Sequence, residues 1–348
     1  MIFREQQRAK IMSTARVRRR RNIVRTADRN QNKMKAAAID RFGPPSVLKL
    51  CTLPVPVPGS GEVLIALHAA GVGVWDADIR GGWWPEGRPK FPLILGTDGA
   101  GVITAKGKRT RRFKLGDRVW AYEFINPKGG FYAEYVAIKT SHVAPVPRRL
   151  DPLHAGAAAV TGLTALQGID DHLRVRRGTT VLIFGASGAV GTLAVQFAKR
   201  HRARVIGTAR GRAAEKLVKK LGADAVIDPT KKDAAKRLRE LAPGGLDAVL
   251  VLAGGKNLES LLDLIRSGGR IAYPNGVDPT PRRRPKVRMI SYDGIVSPRH
   301  FSRLNRAVEE ARLKVPLAAV YPLAQAARAH ERLKRGGVLG RIVLRIRR

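Results

Sequence analysis

The chain has 348 residues, enough for about two domains, since globular domains typically contain roughly 100 to 200 residues. Hydrophobic residues make up 44% and charged residues 27%, a balance typical of a globular protein. The single cysteine, Cys51, excludes an internal disulfide framework and a multi-cysteine metal site, and no apolar run is long enough to predict a membrane span. We therefore expect a cytoplasmic protein in a reducing compartment.

The chain is strongly basic, with 66 Lys and Arg against 27 Asp and Glu and a formal net charge of +39. Such a charge attracts polyanions nonspecifically at low salt. Nucleic-acid-binding modules concentrate basic residues on one face among aromatic side chains, whereas here basic residues are spread along the chain and aromatic residues make up 5%. The pattern favours a generally basic protein over a dedicated nucleic-acid-binding one.

The densest positive charge lies in residues 1–33, which contain ARVRRRRNIVR at 15–25. A basic arm or a targeting peptide would explain it, but serine is scarce and no apolar helical face repeats. We expect a disordered basic extension, followed at Met34 by the folded chain.

Residues 34–150 have the pattern of short β-strands separated by Gly- and Pro-rich turns, which predicts a small barrel-like module. The predicted strands are KAAAID (35–40), VLKLCTL (47–53), EVLIALHAAGV (62–72) and GDRVWAY (116–122).

Strand and helix patterns alternate within residues 151–314, which predicts a parallel sheet with helices on both faces. The predicted helices include 157–169, 189–201 and NLESLLDLIRSG (257–268), and the tail of residues 315–348 is expected to return to the first module. The predicted strands are TTVLIFG (179–185), ARVIGTA (203–209), ADAVID (223–228), LDAVLVLA (246–253) and GRIAYP (269–274).

A glycine-rich turn, FGASGAVG (184–191), follows the first of these strands and opens a helix. A free helix N-terminus presents unpaired N–H groups and a partial positive charge, so a diphosphate binds there favourably. In the G-x-G-x-x-G pattern of dinucleotide sites the first position is Ala186 here, with Gly185 one residue earlier. We expect a dinucleotide diphosphate to contact Gly185, Ala186, Ser187, Gly188, Ala189, Val190 and Gly191.

The end of the next strand selects the dinucleotide. An NAD site usually has an acidic residue about 20 residues after the glycines, but GTARGR (207–212) contains none. Arg210 and Arg212 are suited to a ribose 2′-phosphate, beside Thr208. The sequence therefore predicts NADPH as the cofactor.

Motifs along nearly the whole chain after residue 33 resemble the medium-chain dehydrogenase/reductase superfamily, in its zinc-free, zeta-crystallin-like quinone oxidoreductase branch. They include GVGVWDADIRGG (71–82), LILGTDGAGVI (93–103), GFYAEYVAI (130–138) and GVLGRIVL (337–344). The resemblance implies a GroES-like β-barrel catalytic module of residues 34–150 and 315–348. It also implies a Rossmann domain of residues 151–314 with a doubly wound sheet, an NADPH cleft between the two, and usually a homodimer.

The resemblance also bears on zinc. Zinc-binding members have a Cys near the position of Trp75-Asp76 and a His-Glu pair where this chain has Thr97-Asp98. No metal is therefore expected. Without a Lewis acid, an electron-poor quinone or α,β-unsaturated carbonyl is the favoured acceptor, because the incoming charge delocalises onto its own oxygen.

Alternatives remain at this point: a zinc-independent, alcohol-dehydrogenase-like reductase of another carbonyl, a noncatalytic nucleic-acid-binding member of the fold, or a member whose cleft is obstructed by Trp83 and Trp84. The resemblance places Thr164 near the nicotinamide and Ala253 and Gly254 near the cofactor, although a helical threonine also bonds its own backbone. The candidate cleft residues are Trp75, Asp76, Trp83, Trp84 and Tyr122, although large aromatic residues are more often core. No catalytic acid is predicted.

Overall fold

A computed structural model describes residues 32–85 and 87–347. The predicted basic extension therefore lies outside the described residues, apart from its last two positions. The first strand already includes Lys33.

The first lobe is built mostly from antiparallel strands. The longest strand, β3, pairs with β5, β7 and β16, so it forms the centre of a seven-stranded sheet that curves around the apolar core of this lobe. Its elements are β1 (Lys33–Ile39), β2 (Lys49–Pro54), β3 (Glu62–Val72), α1 (Val74–Gly81), β4 (Leu93–Ile94), β5 (Asp98–Lys106), β6 (Arg118–Tyr122), β7 (Tyr135–Lys139) and β8 (Val143–Pro145).

The second lobe contains a six-stranded parallel sheet in the order β11-β10-β9-β12-β13-β14. Its strands are buried runs of Val, Ile and Leu, because helices cover both faces. Its elements are α2 (Pro152–Gly156), α3 (Ala159–Gln167), β9 (Thr180–Phe184), α4 (Ala189–Arg200), β10 (Arg204–Thr208), α5 (Arg212–Lys220), β11 (Ala225–Ile227), α6 (Ala234–Leu241), β12 (Leu246–Val251), α7 (Leu258–Leu262), β13 (Ile265–Pro274), β14 (Arg288–Tyr292) and α8 (Pro298–Glu310).

The tail contributes β15 (Leu317–Pro322), α9 (Ala326–Lys334) and β16 (Arg341–Arg345). Strand β16 runs antiparallel to β3, with Ile342 opposite Val72, so the tail closes the sheet of the first lobe. Among the residues described, no helix is long and apolar enough to cross a membrane.

The predicted helix over 257–268 is wrong in its second half. Helix α7 ends at Leu262, and β13 begins at Ile265, which pairs with Leu246 of β12. Sheet pairing therefore overrides the local helical pattern, because burying Ile265 beside β12 requires extended backbone there.

Successive side chains of β6 point alternately into the core of the first lobe and toward the second lobe. Val119 and Ala121 belong to the core of the first lobe, whereas Trp120 and Tyr122 belong to the cluster that continues into the second lobe. There Trp120 packs against Phe301 of α8 with ring centroids 5.7 Å apart. The second-lobe face of β6 therefore lines the junction where a ligand cleft would lie.

Candidate cofactor site and cleft

The glycine-rich turn leads from β9 into α4 as the sequence predicts, but the backbone requirement lies one residue earlier than the pattern suggests. Gly185 has a φ of +88°, a left-handed conformation that favours glycine, whereas Ala186 is fully buried. A Cβ on Gly191 would overlap the carbonyl oxygen of Gly185 and lie 2.7 Å from Cα of Ala186. Glycine at 191 therefore allows α4 to pack directly against the turn.

The start of α4 is open to a ligand. Gly188 is the N-cap with an extended backbone and no side chain to cap the helix. The hydrogen bonds of the helix begin with the N–H of Thr192, which donates to the carbonyl oxygen of Gly188 at 3.0 Å, so the N–H groups of the first turn have no partner within α4 itself. A Cβ on Gly188 would meet only the carbonyl oxygen of Gly185, at 3.5 Å. The geometry is that of an anion site at a helix N-terminus.

Neighbouring strands fix the shape of this turn. The hydroxyl of Thr208 accepts a hydrogen bond from the N–H of Gly185 at 2.8 Å, so Thr208 supports the turn from the end of β10. Ala253 is exposed and lies beside Gly185, while a Cβ on Gly254 would overlap the carbonyl oxygen of Asp278. These residues converge at the carboxyl ends of the parallel strands, where ligands bind in open α/β sheets.

Sequence reasoning missed a contact from the tail. The N–H of Gly340 donates to the carbonyl oxygen of Ser187 at 2.9 Å, and Gly188 pairs with Gly340 in a short parallel bridge. The GGVLG sequence before Gly340 was the available signal, but nothing in it indicates which loop it meets.

Arg210 and Arg212 are both exposed and flank Gly211, which has a φ of +83° and caps α5. The nearby Glu215 pairs with Lys219 at 2.7 Å. Sequence reasoning missed Asp228, at the end of β11. Burial raises the pKa of Asp228, but hydrogen bonds from Thr230 and the N–H of Gly211 hold it below its usual value. A carboxylate therefore lies beside the loop that carries the two arginines.

Three aromatic rings meet at the mouth of the cleft. The ring centroid of Trp75 lies 5.8 Å from that of Trp83 and 5.4 Å from that of Phe124. Trp83 is 44% exposed, and the tip of Trp75 lies 3.2 Å from the position of a Cβ on Gly276, in the loop after β13. Phe124 is not among the residues predicted from the sequence. It lies two residues beyond Tyr122, so it continues the alternation of β6.

Other candidate residues lie deeper or elsewhere. Trp84 lines a small cavity of the first lobe together with Ile79, Leu93 and Phe124, and so lies next to one ring of the aromatic cluster. The hydroxyl of Thr164 donates to the carbonyl oxygen of Val160 at 2.9 Å, which is the backbone bond that helical threonines often make. Tyr122 is 8% exposed at the end of β6.

Asp76 lies beneath the cleft and is fully buried. Its Oδ2 accepts hydrogen bonds from the N–H of Gly73 at 2.8 Å and from the hydroxyl of Tyr132 at 2.9 Å. Its Oδ1 has no partner within the described part of the chain. Burial raises the pKa of Asp76 to about 6, although the guanidinium of Arg341 acts in the opposite direction.

A second buried carboxylate, Asp98, joins the two lobes. Its Oδ1 accepts from Nη2 of Arg341 at 2.9 Å, and its Oδ2 accepts from the N–H of Val160 at 3.1 Å. The guanidinium of Arg341 lies against Gly71, where a Cβ would be 2.7 Å from Nη2. Over residues 32–85 and 87–347, no group of three or more His, Cys, Asp or Glu side chains is arranged to hold a metal ion.

Comparison with known proteins identifies both lobes. The family described as "Alcohol dehydrogenase GroES-like domain" matches residues 59–148, and the family described as "Zinc-binding dehydrogenase" matches residues 189–298. The quinone oxidoreductase of Rattus norvegicus is 32% identical over 328 residues, which cover 90% of this chain and 98% of the relative. The chain belongs to the medium-chain dehydrogenase/reductase superfamily. Within it, the chain groups with the quinone oxidoreductases and is an oxidoreductase.

Solved structures of this superfamily share the whole fold. A structure described as an NAD-dependent alcohol dehydrogenase has a TM-score of 0.84 and 32% identity, covering 90% of this chain and 100% of that chain. A mycobacterial protein solved in complex with NADPH has a TM-score of 0.78 and 30% identity, covering 90% and 100%. The predicted GroES-like module joined to a Rossmann sheet is thereby confirmed.

Substitution of Asp76 by Asn tests the buried carboxylate. Because the folded pKa of Asp76, about 6, lies above its ordinary value of 3.8, ionised Asp76 destabilises the folded protein, and this destabilisation grows as the pH rises from about 4 to 6. We expect Asp76→Asn to stabilise the protein at pH 8 by up to about 3 kcal/mol, and by much less at pH 4.5. Urea unfolding at both pH values measures this, and an equal effect at both would contradict it.

Proposed function

We propose that this enzyme transfers a hydride from NADPH to a quinone or an α,β-unsaturated carbonyl, without zinc. NADPH supplies the hydride when bound. The observation that carries the proposal is the open N-terminus of α4 with exposed Arg210 and Arg212 at the end of the adjacent strand. The quinone oxidoreductase relatives support the acceptor class.

The cofactor assignment depends on charge. The N-terminal turn of α4 after Gly188 suits a diphosphate, and two guanidinium groups suit a further phosphate on the ribose. Asp228 opposes that phosphate, because its carboxylate lies beside the N–H of Gly211. We infer that Arg210 and Arg212 together outweigh this single negative charge and favour NADPH over NADH.

The side chains at the positions of the zinc ligands of other superfamily members support a reaction without zinc. Gly73 has no side-chain donor, Trp75 is part of the aromatic cluster, and Thr97 stands where zinc-binding members carry a histidine. Asp98 is engaged with Arg341 at 2.9 Å. These side chains do not form a zinc site, so acceptors that stabilise their own negative charge are favoured.

The aromatic cluster supports a flat acceptor. Trp75, Trp83 and Phe124 present ring edges and faces at the cleft mouth, and quinones are planar and apolar. The contact of Trp75 with the loop at Gly276 brings this wall against the second lobe, beside the carboxyl ends of its strands. The cleft therefore excludes water from one side of a bound acceptor.

Replacing both arginines tests the cofactor assignment. Hydrogen bonds to charged groups contribute about 1.5 to 3 kcal/mol each, so Arg210→Ala with Arg212→Ala should reduce the NADPH-over-NADH preference in Kd by about 100-fold. The matched control is Lys232→Ala with Arg239→Ala, which removes the same charge from exposed positions elsewhere on this lobe. Fluorescence titration with each cofactor measures the preference, and an unchanged preference in the double variant would refute the assignment.

A panel of quinones and enones tests the acceptor. We expect NADPH oxidation with planar quinones, and Trp83→Ala should lower kcat/KM for them by about tenfold, since one aromatic contact is worth about 0.5–1.5 kcal/mol. The Kd of NADPH should not change. Phe91→Ala removes another exposed ring, which packs on Phe42, and is the control. If the wild-type enzyme reduces no member of the panel, the proposed reaction is wrong.

We also propose a homodimer that pairs through β14. This strand forms one edge of the six-stranded sheet, so its outer backbone groups lack a neighbouring strand within the described chain. Ile290 lies half-exposed at its centre.

Ile290→Asp should shift the protein toward monomer, because the pairing would bring two carboxylates close together. Sedimentation velocity measures the mass, with Leu115→Asp, at an exposed site on the first lobe, as the control. A wild-type protein that sediments as a monomer would exclude this interface.

A further inference from the structure

Tyr122 occupies the last position of β6, opposite Asp98 in the register with β5. Its side chain lies on the same face of the strand as Trp120, which packs against Phe301 of the second lobe. The ring of Tyr122 is therefore fixed at the lobe junction. Only 8% of the residue is exposed.

The hydroxyl of Tyr122 differs from those of the other buried tyrosines. Tyr132 donates to Asp76 at 2.9 Å, and Tyr292 donates to the carbonyl oxygen of Thr164 at 2.9 Å. Tyr122 makes no hydrogen bond to any other residue in the described ranges. Its hydroxyl oxygen is nevertheless reached by solvent, unlike the fully buried polar atoms of this structure that lack a partner. Buried tyrosine hydroxyls normally find a partner. This hydroxyl is accessible and available to a ligand.

The surroundings show where this hydroxyl lies. Burial raises the pKa of Tyr122, and the carboxylates of Asp98 and of Asp293 from the second lobe raise it further. Asp293 directly follows β14 and accepts from the side-chain amide of Asn275 at 2.8 Å. The phenol therefore stays protonated at the carboxyl ends of β13 and β14, within the cleft assigned to the cofactor and acceptor.

We propose that the hydroxyl of Tyr122 donates a hydrogen bond to the acceptor oxygen that becomes negatively charged during reduction. This inference rests on the proposed function. In an enone, the hydride and its electron pair form a C–H bond at the β-carbon, and the C=C electron pair shifts so that the carbonyl oxygen becomes an enolate. NADPH is oxidised to NADP⁺ in the same step, and water supplies the proton that completes the α-carbon.

Tyr122 acts as a donor in this step and keeps its own proton. A preorganised donor aimed at a developing oxyanion typically accounts for about 100-fold in rate. Its contribution should increase with the basicity of the oxyanion, so it matters more for enones, which form basic enolates, than for quinones, which form weakly basic hydroquinone anions.

The test compares Tyr122→Phe with Tyr321→Phe, which removes a hydroxyl from β15 in the first lobe. We expect Tyr122→Phe to lower kcat for enones by about 100-fold and for quinones by less, with an unchanged Kd for NADPH. Tyr321→Phe should leave both rates unchanged. Equal losses in the two variants would overturn the inference.

A binding measurement gives a second readout that does not require turnover. Substituted phenolates mimic the charged oxygen of the product, and their absorbance shifts when a donor binds it. We expect the wild-type protein to bind 4-nitrophenolate about tenfold more tightly than Tyr122→Phe does, with a larger absorbance shift. Equal binding by the two proteins, including none by either, overturns the inference.

The two proposals fail in different ways. If no acceptor is reduced but phenolate binding depends on Tyr122, the reaction is wrong and the donor site stands. If acceptors are reduced and neither kcat nor phenolate binding depends on Tyr122, only the donor role is wrong.

Discussion

The buried carboxylate of Asp98 connects three parts of the chain that are distant in sequence. It lies on β5, pairs with Arg341 on β16, and accepts the backbone N–H of Val160 at the start of α3. Buried ion pairs are costly to form, but removing one partner typically costs about 3 to 5 kcal/mol, because an unpaired charge remains in the interior. The position of the first lobe against the second, and so the shape of the cleft, depends on this carboxylate remaining paired.

The ion pair between Asp98 and Arg341 also explains why Gly71 and Gly73 are small. The guanidinium of Arg341 fits against Gly71 and Gly73 only because neither has a Cβ, so an asparagine or larger residue at 73 would displace it. Asp76 then lies near Arg341 without pairing to it, which leaves a second carboxylate buried and raises its pKa. Adjacent residues of one short segment thus have different surroundings: Trp75 packs in the aromatic cluster, whereas Asp76 is fully buried beneath it.

Features that depend on residues close together in the sequence, such as turns, strands and helix starts, were predictable from the sequence. The turn at 184–191 was recognised because glycine spacing, a buried strand and an amphipathic helix occur together, and GDRVWAY was recognised as a strand from its β-branched and aromatic residues. Pairing between distant residues was not predictable. Asp98 and Arg341 are 243 positions apart, and no sequence feature near either residue indicates that the other is its partner. For the same reason the sequence did not reveal that Asp228 lies beside Gly211, or that Ile265 would pair with β12 as part of a strand and not belong to a helix.

The fold is common to relatives named for quinones and for alcohols, so it does not by itself specify the reaction. The residues proposed to specify it, Arg210, Trp75 and Tyr122, lie at or just beyond the ends of strands.

The N–H of Gly340 donates to the carbonyl oxygen of Ser187 at 2.9 Å, so the tail that completes the first lobe also pairs with the glycine-rich turn of the second. The bond from the N–H of Val160 to Asp98 is a second link between the lobes, so an opening that keeps both links intact is confined to a rotation about the line that joins them.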